Sequence, residues 1–277
     1  MVRVHGAFLR FGCVLVWLSA PVLIAQHNEL TPAERAAGWQ LLFDGKTMAG
    51  WNDPSVRKPR GDGWWIEDAC LKAEPNPRMV EDLVSKELFR DFELQFDWRI
   101  SRAGNSGVKY RIQDLVLLRE QDPNPALKFE DLVELSIRNR RANRPEKGQE
   151  YVVGFEYQVI DNHNNSDSQW GPVRATASLY DLVGVPRDVT RPVGEFNRSR
   201  LVVRGVHTEH WLNGVKVLEM NLDAPQVLEG LAARWGKDSR VYARLSKLPR
   251  KDCPISLQNH TFPAWFRNIK IRRLPAN

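Results

Sequence analysis

The sequence predicts an all-β fold, a β-sandwich or jelly roll with one decorated face, within a chain of 277 residues. Three observations predict it. Phe92, Leu94, Phe96, Trp98 and Ile100 alternate strictly with Glu93, Gln95, Asp97 and Arg99, the period of an antiparallel strand with one wet face. Phe155, Tyr157 and Val159 alternate with Glu156 and Gln158 in the same way. His207–Leu212 and Val215–Met220 flank Asn213-Gly214, whose tolerance of positive φ marks a tight hairpin.

Taken in order, the chain opens as a secretory signal peptide. Arg3 and Arg10 precede the uncharged run Phe11–Ala25, which at roughly 15 residues falls short of the ~20 that span a bilayer. Cleavage near Ala25 exports the remainder, 26–277, read as one β-sandwich domain, periplasmic or secreted. Removing Arg3 and Arg10 leaves 38 basic against 34 acidic residues, a net +4. That charge is too mild and dispersed for nucleic acid. Thr31-Pro32 starts a short helix, with Thr at the N-cap and Pro at N1. Leu41–Phe43 and Trp64–Leu71 read as strands, separated by a loop over 53–62. After 92–100, Ala103–Gly107 turns the chain into a strand carrying Val108, Tyr110 and Ile112.

Prolines 123, 125 and 145 punctuate an insertion over about 114–150, in which 115–119 and 129–138 have helical character. Arg138, Arg140, Arg141 and Arg144 read as a solvated part of it. The β pattern resumes at Val152, and 170–185 holds a short strand and a loop. Strands over 200–204, the hairpin, 254–260 and 265–274 complete the set. Cys70 and Cys253 remain after export, either as one disulfide or as buried thiols.

Function is read from the polar faces. Lys109, Arg111 and Gln113 share one face, Glu156 and Gln158 another, and Ser256, Gln258 and His260 a third. Set side by side they line a shallow groove of acids, amides, bases and an imidazole, suited to a polyhydroxylated ligand. Ten Trp supply flat apolar faces for sugar rings, Trp98 among them. Against this stands plain solvation of an exposed strand face. Glu156, between Phe155 and Tyr157, has two readings: partial desolvation with a raised pKa that suits acid–base work, or a salt bridge to Lys109 or Arg111. Glu156, His163 and His260 together offer ligands for a divalent cation, with no spacing motif behind them. No G-x-S-x-G, P-loop or Rossmann glycine pattern is present.

These pieces, in this order, resemble the 3-keto-disaccharide hydrolase domain family. The resemblance is carried by Trp39–Trp51, Trp64–Glu74, Asp91–Ile100, Gly104–Arg111, Phe155–His163, Gly194–Asn197, His210–Gly214, Ile255–His260 and Phe266–Ile271. It covers about 38–274 and implies a concanavalin A-like jelly-roll sandwich. It departs from the family in the longer 114–150 stretch and in Cys70, where glycine is common. The activity it implies is cleavage of 3-keto-glycosides: a base takes the C2 proton that the C3 ketone acidifies, and the C1 bond then leaves by elimination, with water adding back. On that reading Glu156 or His260 is the base, and Lys109, Gln158 or a bound cation stabilises the oxyanion. Arg111, Asp161, Gln258, Tyr180 and Trp98 contact substrate. A non-catalytic glycan-binding module on the same fold is the alternative. A retaining glycosidase is weaker, since Glu156 and Asp161, five apart, fall on opposite faces of a regular strand.

Overall fold

A computed structural model describes residues 27–52, 63–74, 79–80, 82–118, 148–249, 251–260 and 262–275, with Met1 and isolated positions between 131 and 142. The expected signal peptide, the 53–62 loop and most of the insertion lie outside the described residues. Among the described residues no helix is long and apolar enough to cross a membrane.

Two sheets, almost wholly antiparallel, form the sandwich. Their strands are β1 (Gln40–Leu41), β2 (Trp51–Asn52), β3 (Trp64–Glu67), β4 (Cys70–Ala73), β5 (Met79–Val80), β6 (Leu83–Ser85), β7 (Phe92–Ile100), β8 (Asn105–Leu118), β9 (Gly148–Ile160), β10 (Asn197–Arg204), β11 (His207–Leu212), β12 (Val215–Asn221), β13 (Ser256–Leu257) and β14 (Ala264–Arg273). One sheet runs β12-β11-β10-β7-β14-β4-β3, with β1 also on β14; the other runs β2-β6-β13-β8-β9-β5. Helix α1 (Pro32–Ala36) carries the expected Thr31 cap, closed reciprocally by Glu34. Two further helices, α2 (Pro225–Trp235) and α3 (Arg240–Leu245), occupy a stretch in which the sequence analysis placed no element.

The apolar halves of the alternating strands meet between the sheets. Phe96 stacks edge-on against Tyr157 at 5.6 Å, and Trp64, Trp98, Phe155 and Phe266 are all buried beside them. A polar seam crosses this core with every member bonded, as burial demands. Trp98 Nε1 donates to Ser199 Oγ at 2.8 Å, Tyr157 Oη bonds the same hydroxyl at 2.8 Å, and Tyr110 Oη lies 3.1 Å from His210 Nε2. The outward half of β7 is not wet. Glu93 and Asp97 are buried under Arg200, Arg272, Arg198 and Asn268, which lie on the neighbouring strands β10 and β14.

Four expectations are corrected. The Trp64–Leu71 strand is the hairpin β3-β4, turned by Asp68 and Ala69 at φ 50° and 55° without a glycine. The helical reading of 115–119 gives way to β8, where 115–118 pair with 149–152 of β9; a partner strand outweighs local propensity. The insertion therefore begins beyond Leu118 and ends before Gly148. The strand read over 254–260 narrows to β13, and 170–185 holds the 3-10 turn Pro172–Arg174 and isolated bridges at Leu179.

Candidate active site

The outer face of the six-stranded sheet carries the site. Glu156 and Lys109 are cross-strand partners on β9 and β8, Gln158 stands opposite Gly107, and Ser256 of β13 pairs with Lys109. Gln258 N donates to Gly107 O at 2.8 Å, which brings the residues after β13 into the same row. Plain solvation of this face does not hold: Glu156 is 7% exposed, Gln158 1% and Gln258 5%. Tyr180, Arg234 and Trp235 close over them, and with Asn105, Tyr151 and His260 they enclose a cavity of about 140 Å³.

Space for the Glu156 carboxyl comes from Gly107. A Cβ at that position would fall 2.9 Å from both Cγ and Cδ of Glu156. Among the described residues no hydrogen bond holds this carboxyl. Burial raises its pKa; Lys109 and Arg234 pull it down, Asp82 pushes it up, and the outcome is about 7. His260 is moved the other way: burial and the nearby Lys109 lower its pKa, so its ring is neutral at pH 7. Gln258 Oε1 is buried with no hydrogen-bond donor among the described residues, and Gln158 is tethered through Oε1 to Val159 N at 3.1 Å. Arg234 is ion-paired with Asp181 at 3.1 Å and lies 4.8 Å from the Tyr180 ring and 5.1 Å from the Trp235 ring.

The cavity is thus a desolvated chamber with a carboxyl whose pKa is raised toward neutrality, a neutral imidazole and the three carboxamides of Asn105, Gln158 and Gln258. Such a set has the chemistry to abstract a proton and to hold a developing negative oxygen.

Of the residues picked from the sequence, Glu156, Gln158, Gln258, His260 and Tyr180 line this chamber together. The others do not. Lys109 is fully buried behind Glu156, ion-paired with Asp82 at 3.2 Å and 5.0 Å from the Tyr151 ring. Arg111 sits at a bulge with φ 53°, which turns it off the Lys109 face to bond Asp91 at 3.2 Å and Gly205 O at 2.6 Å. Trp98 is in the core. Asp161 is a turn organiser: Ala103, His163 and Asn164 donate backbone N–H groups to it, holding its pKa below the usual carboxylate value against its burial. His163 is largely exposed, 3.8 Å from Asp188, and edges a separate cavity of about 400 Å³ that shares no lining residue with the first. The cation set Glu156, His163 and His260 therefore does not assemble. A different cluster, His207, Glu209 and Glu219, lies on β11 and β12, where Lys216 pairs with both carboxylates.

Tyr151, Asn105, Arg234, Trp235 and the supporting Asp82 were missed. Arg234 and Trp235 end α2, whose pattern of Val227 and Leu231 buried four apart was the available signal.

Comparison with known proteins bears on this site. Residues 38–272 match the family described as the 3-keto-alpha-glucoside-1,2-lyase-like domain. A 3-keto-disaccharide hydrolase of Bacteroides thetaiotaomicron is 30% identical over 274 residues, covering 94% of this chain and 87% of its own. Two crystal structures from Parabacteroides distasonis ATCC 8503, each provisionally named a glycosyl hydrolase, share the fold. One has 24% identity and a TM-score of 0.65 over 90% of this chain and 100% of its own; the other has 26% and 0.56 over 85% and 99%. Fold and relatives together define a carbohydrate-active β-sandwich protein. The chain belongs to the 3-keto-alpha-glucoside-1,2-lyase-like domain family.

Proposed function

We propose that the chain is an exported enzyme that cleaves 3-keto-glycosides, with Glu156 as the general base. The observation that carries this is the Glu156 carboxyl: buried, free of hydrogen bonds among the described residues, and titrating at about 7. A base of that acidity is half ionised at neutral pH and strong enough to take a proton next to a ketone. The relative from B. thetaiotaomicron, a 3-keto-disaccharide hydrolase, supports the substrate class.

Glu156 takes the C2 proton, and the C2–H electron pair moves into the C3 ketone as an enolate. Neutral His260 and the carboxamide N–H groups of Gln158 and Gln258 hold that oxygen. The enolate returns its pair as the C1–O bond breaks, and the departing oxygen takes a proton to leave as an alcohol. The product is a C1=C2 double bond conjugated to the ketone. Water added across it, oxygen to C1 and hydrogen to C2, gives net hydrolysis; release without water gives a lyase outcome. No nucleophile is used, in keeping with the missing nucleophile motifs.

The test is turnover of a 3-keto-glycoside and its plain glycoside by the purified chain, with and without chelator. The 3-keto compound alone should be cleaved, and Glu156→Gln and His260→Ala should each lower turnover at least ~10²-fold. Retained activity in both variants overturns the assignment, and binding without product points to a glycan-binding module. Export is tested by sequencing the N-terminus of the protein made in a bacterium, expected to begin after Ala25.

A further inference from the structure

The outer face of the eight-stranded sheet, across the core from the chamber, is organised by charge. Its central strands are β10, β7 and β14. The outward positions of β10 carry Arg198, Arg200 and Arg204, and β7 adds Arg99. Those of β14 carry Arg267, Lys270 and Arg272. Two carboxylates share these positions, Glu93 and Asp97, and they lie beneath the cations, 4% and 6% exposed. Arg200 and Arg272 close over Glu93 at 2.5 and 2.6 Å. Arg198 bonds Asp97 at 3.1 Å, and Arg267 stands 3.9 Å from it. Each acid anchors two guanidinium groups, so the layer turned outward is positive. Lys270 is answered by Glu34 of α1, whereas Arg99 and Arg204 pair with no carboxylate among the described residues.

The flanks have the opposite balance. Lys72 of β4 meets both Glu67 and Glu74, at 2.9 and 3.3 Å, and Lys216 of β12 meets both Glu209 and Glu219. The positive surface is therefore a stripe, roughly 10 Å across three strands and ~27 Å along them. That shape selects a linear polyanion. A bilayer is a plane that would press on the acidic flanks as well, and no large apolar side chain is exposed on β7, β10 or β14 to enter it. Single-stranded nucleic acid needs open aromatic faces for its bases. Here the Trp39, Trp211 and Trp265 rings already carry the guanidinium groups of Arg272, Arg200 and Arg99, at 5.0, 4.7 and 4.5 Å. What the stripe offers is charge held in planar forks, the match for carboxylate or sulfate.

We propose that this stripe is a docking surface for an acidic polysaccharide, one chain lying along the strands with its carboxylates or sulfates on the arginines. The stripe and the chamber lie on different sheets, so the docked chain leaves the chamber free. The proposal stands whether or not Glu156 is a base.

The test is calorimetric binding of the purified chain at pH 7 to polygalacturonate, dextran sulfate and neutral dextran. At least one acidic polymer should bind and dextran should not, and raising the salt from ~0.05 M to ~0.5 M should weaken binding at least ~10-fold. Which acidic polymer binds tells carboxylate from sulfate. Arg198→Glu with Arg204→Glu should weaken binding at least ~10-fold. Arg187→Glu with Lys247→Glu, the same charge change at exposed positions off the stripe, should leave it unchanged. If circular dichroism shows the first pair misfolded, Arg204→Glu alone decides, because that arginine holds no carboxylate in place; it should cost ~3-fold. Equal loss in the two double variants, dextran bound as tightly as the acidic polymers, or no binding of either acidic polymer overturns the stripe. So does tighter binding of oligothymidylate or of phosphatidylglycerol vesicles. Glu156→Gln should bind the acidic polymers as the wild type does; a loss there would put them in the chamber and overturn the stripe as well.

Discussion

Lys109 and Glu156 face each other across β8 and β9, yet Lys109 directs its ammonium to Asp82, 3.2 Å away. Asp82 is itself buried and also accepts from Ser256 Oγ at 2.9 Å. Glu156 therefore feels a cation whose charge is already answered. That is why burial outweighs attraction and its pKa rises to about 7 instead of falling as in an ordinary ion pair.

Replacing Lys109 with Met should separate these terms. The cation lowers the Glu156 pKa, so its loss sends that pKa above 7 and moves the acidic limb of the pH–rate profile to higher pH. It also leaves the buried Asp82 without its counter-charge, only Ser256 Oγ still bonding it, which costs about 3–5 kcal/mol. Adding Asp82→Asn should restore part of that stability. Denaturant titration of the single and double variants checks the second point, and an acidic limb that stays in place contradicts the first.

Gly107 is the next lever. Its missing side chain is the space the Glu156 carboxyl occupies, and a Cβ there would meet Cγ and Cδ at 2.9 Å. Gly107→Ala should displace the carboxyl while leaving the β8 ladder intact. Turnover should fall ~10²-fold, as for an ångström-scale misplacement of a reacting group. Circular dichroism and the melting temperature should stay close to wild type. A normal kcat in a folded Gly107→Ala protein would remove Glu156 from the reaction.

The thiols give a simpler expectation. Cys70 and Cys253 are both free and 1% exposed, and burial raises both pKa values. Reductant should leave the melting temperature unchanged, and alkylation should require unfolding. Rapid labelling of the native protein would contradict the burial.

Much of this was legible in the chain because strand period is a local signal. Alternation in 92–100 and 155–159 marked β7 and β9, and Glu156, Gln158 and Gln258 were recognisable as polar members of separate strand faces that line one groove when set side by side. What was illegible depends on distant partners. The bulge at Arg111 leaves no mark in composition, yet it turns that guanidinium from the chamber toward Asp91. Asp82 lies 27 residues from the lysine it pairs with, in a stretch of no pattern. Glu93 and Asp97 read as solvent-facing because their arginines come from β10 and β14, over a hundred residues away. Asp68-Ala69 turns a hairpin without glycine, so its two strands read as one.

The last prediction uses two buried groups with opposite pH slopes. Glu156 ionises at about 4.5 when unfolded and about 7 when folded. Between those values the folded chain holds the extra proton, so stability falls as pH rises from 4.5 through 7. His210 lies in the core, its Nδ1–H donating to Ala177 O at 2.9 Å and its Nε2 accepting from Tyr110 at 3.1 Å. Burial lowers its pKa from 6.5 to about 4, so the unfolded chain holds the extra proton and stability falls as pH drops from 6.5 through 4. Each shift is worth about 3 kcal/mol, and over the shared window the two largely cancel. Glu156→Gln should uncover the histidine slope: relative to wild type its stability should grow by about 3 kcal/mol from pH 4.5 to 8, in a protein that has lost turnover. His210→Gln should show the reverse, a stability that declines toward pH 7 whatever its overall level. The slope is the readout, taken from denaturant unfolding at matched ionic strength. A Glu156→Gln difference that is flat with pH would mean the carboxyl titrates in the folded chamber where it does in the unfolded chain, near 4.5, too weak a base to take a proton from a sugar carbon.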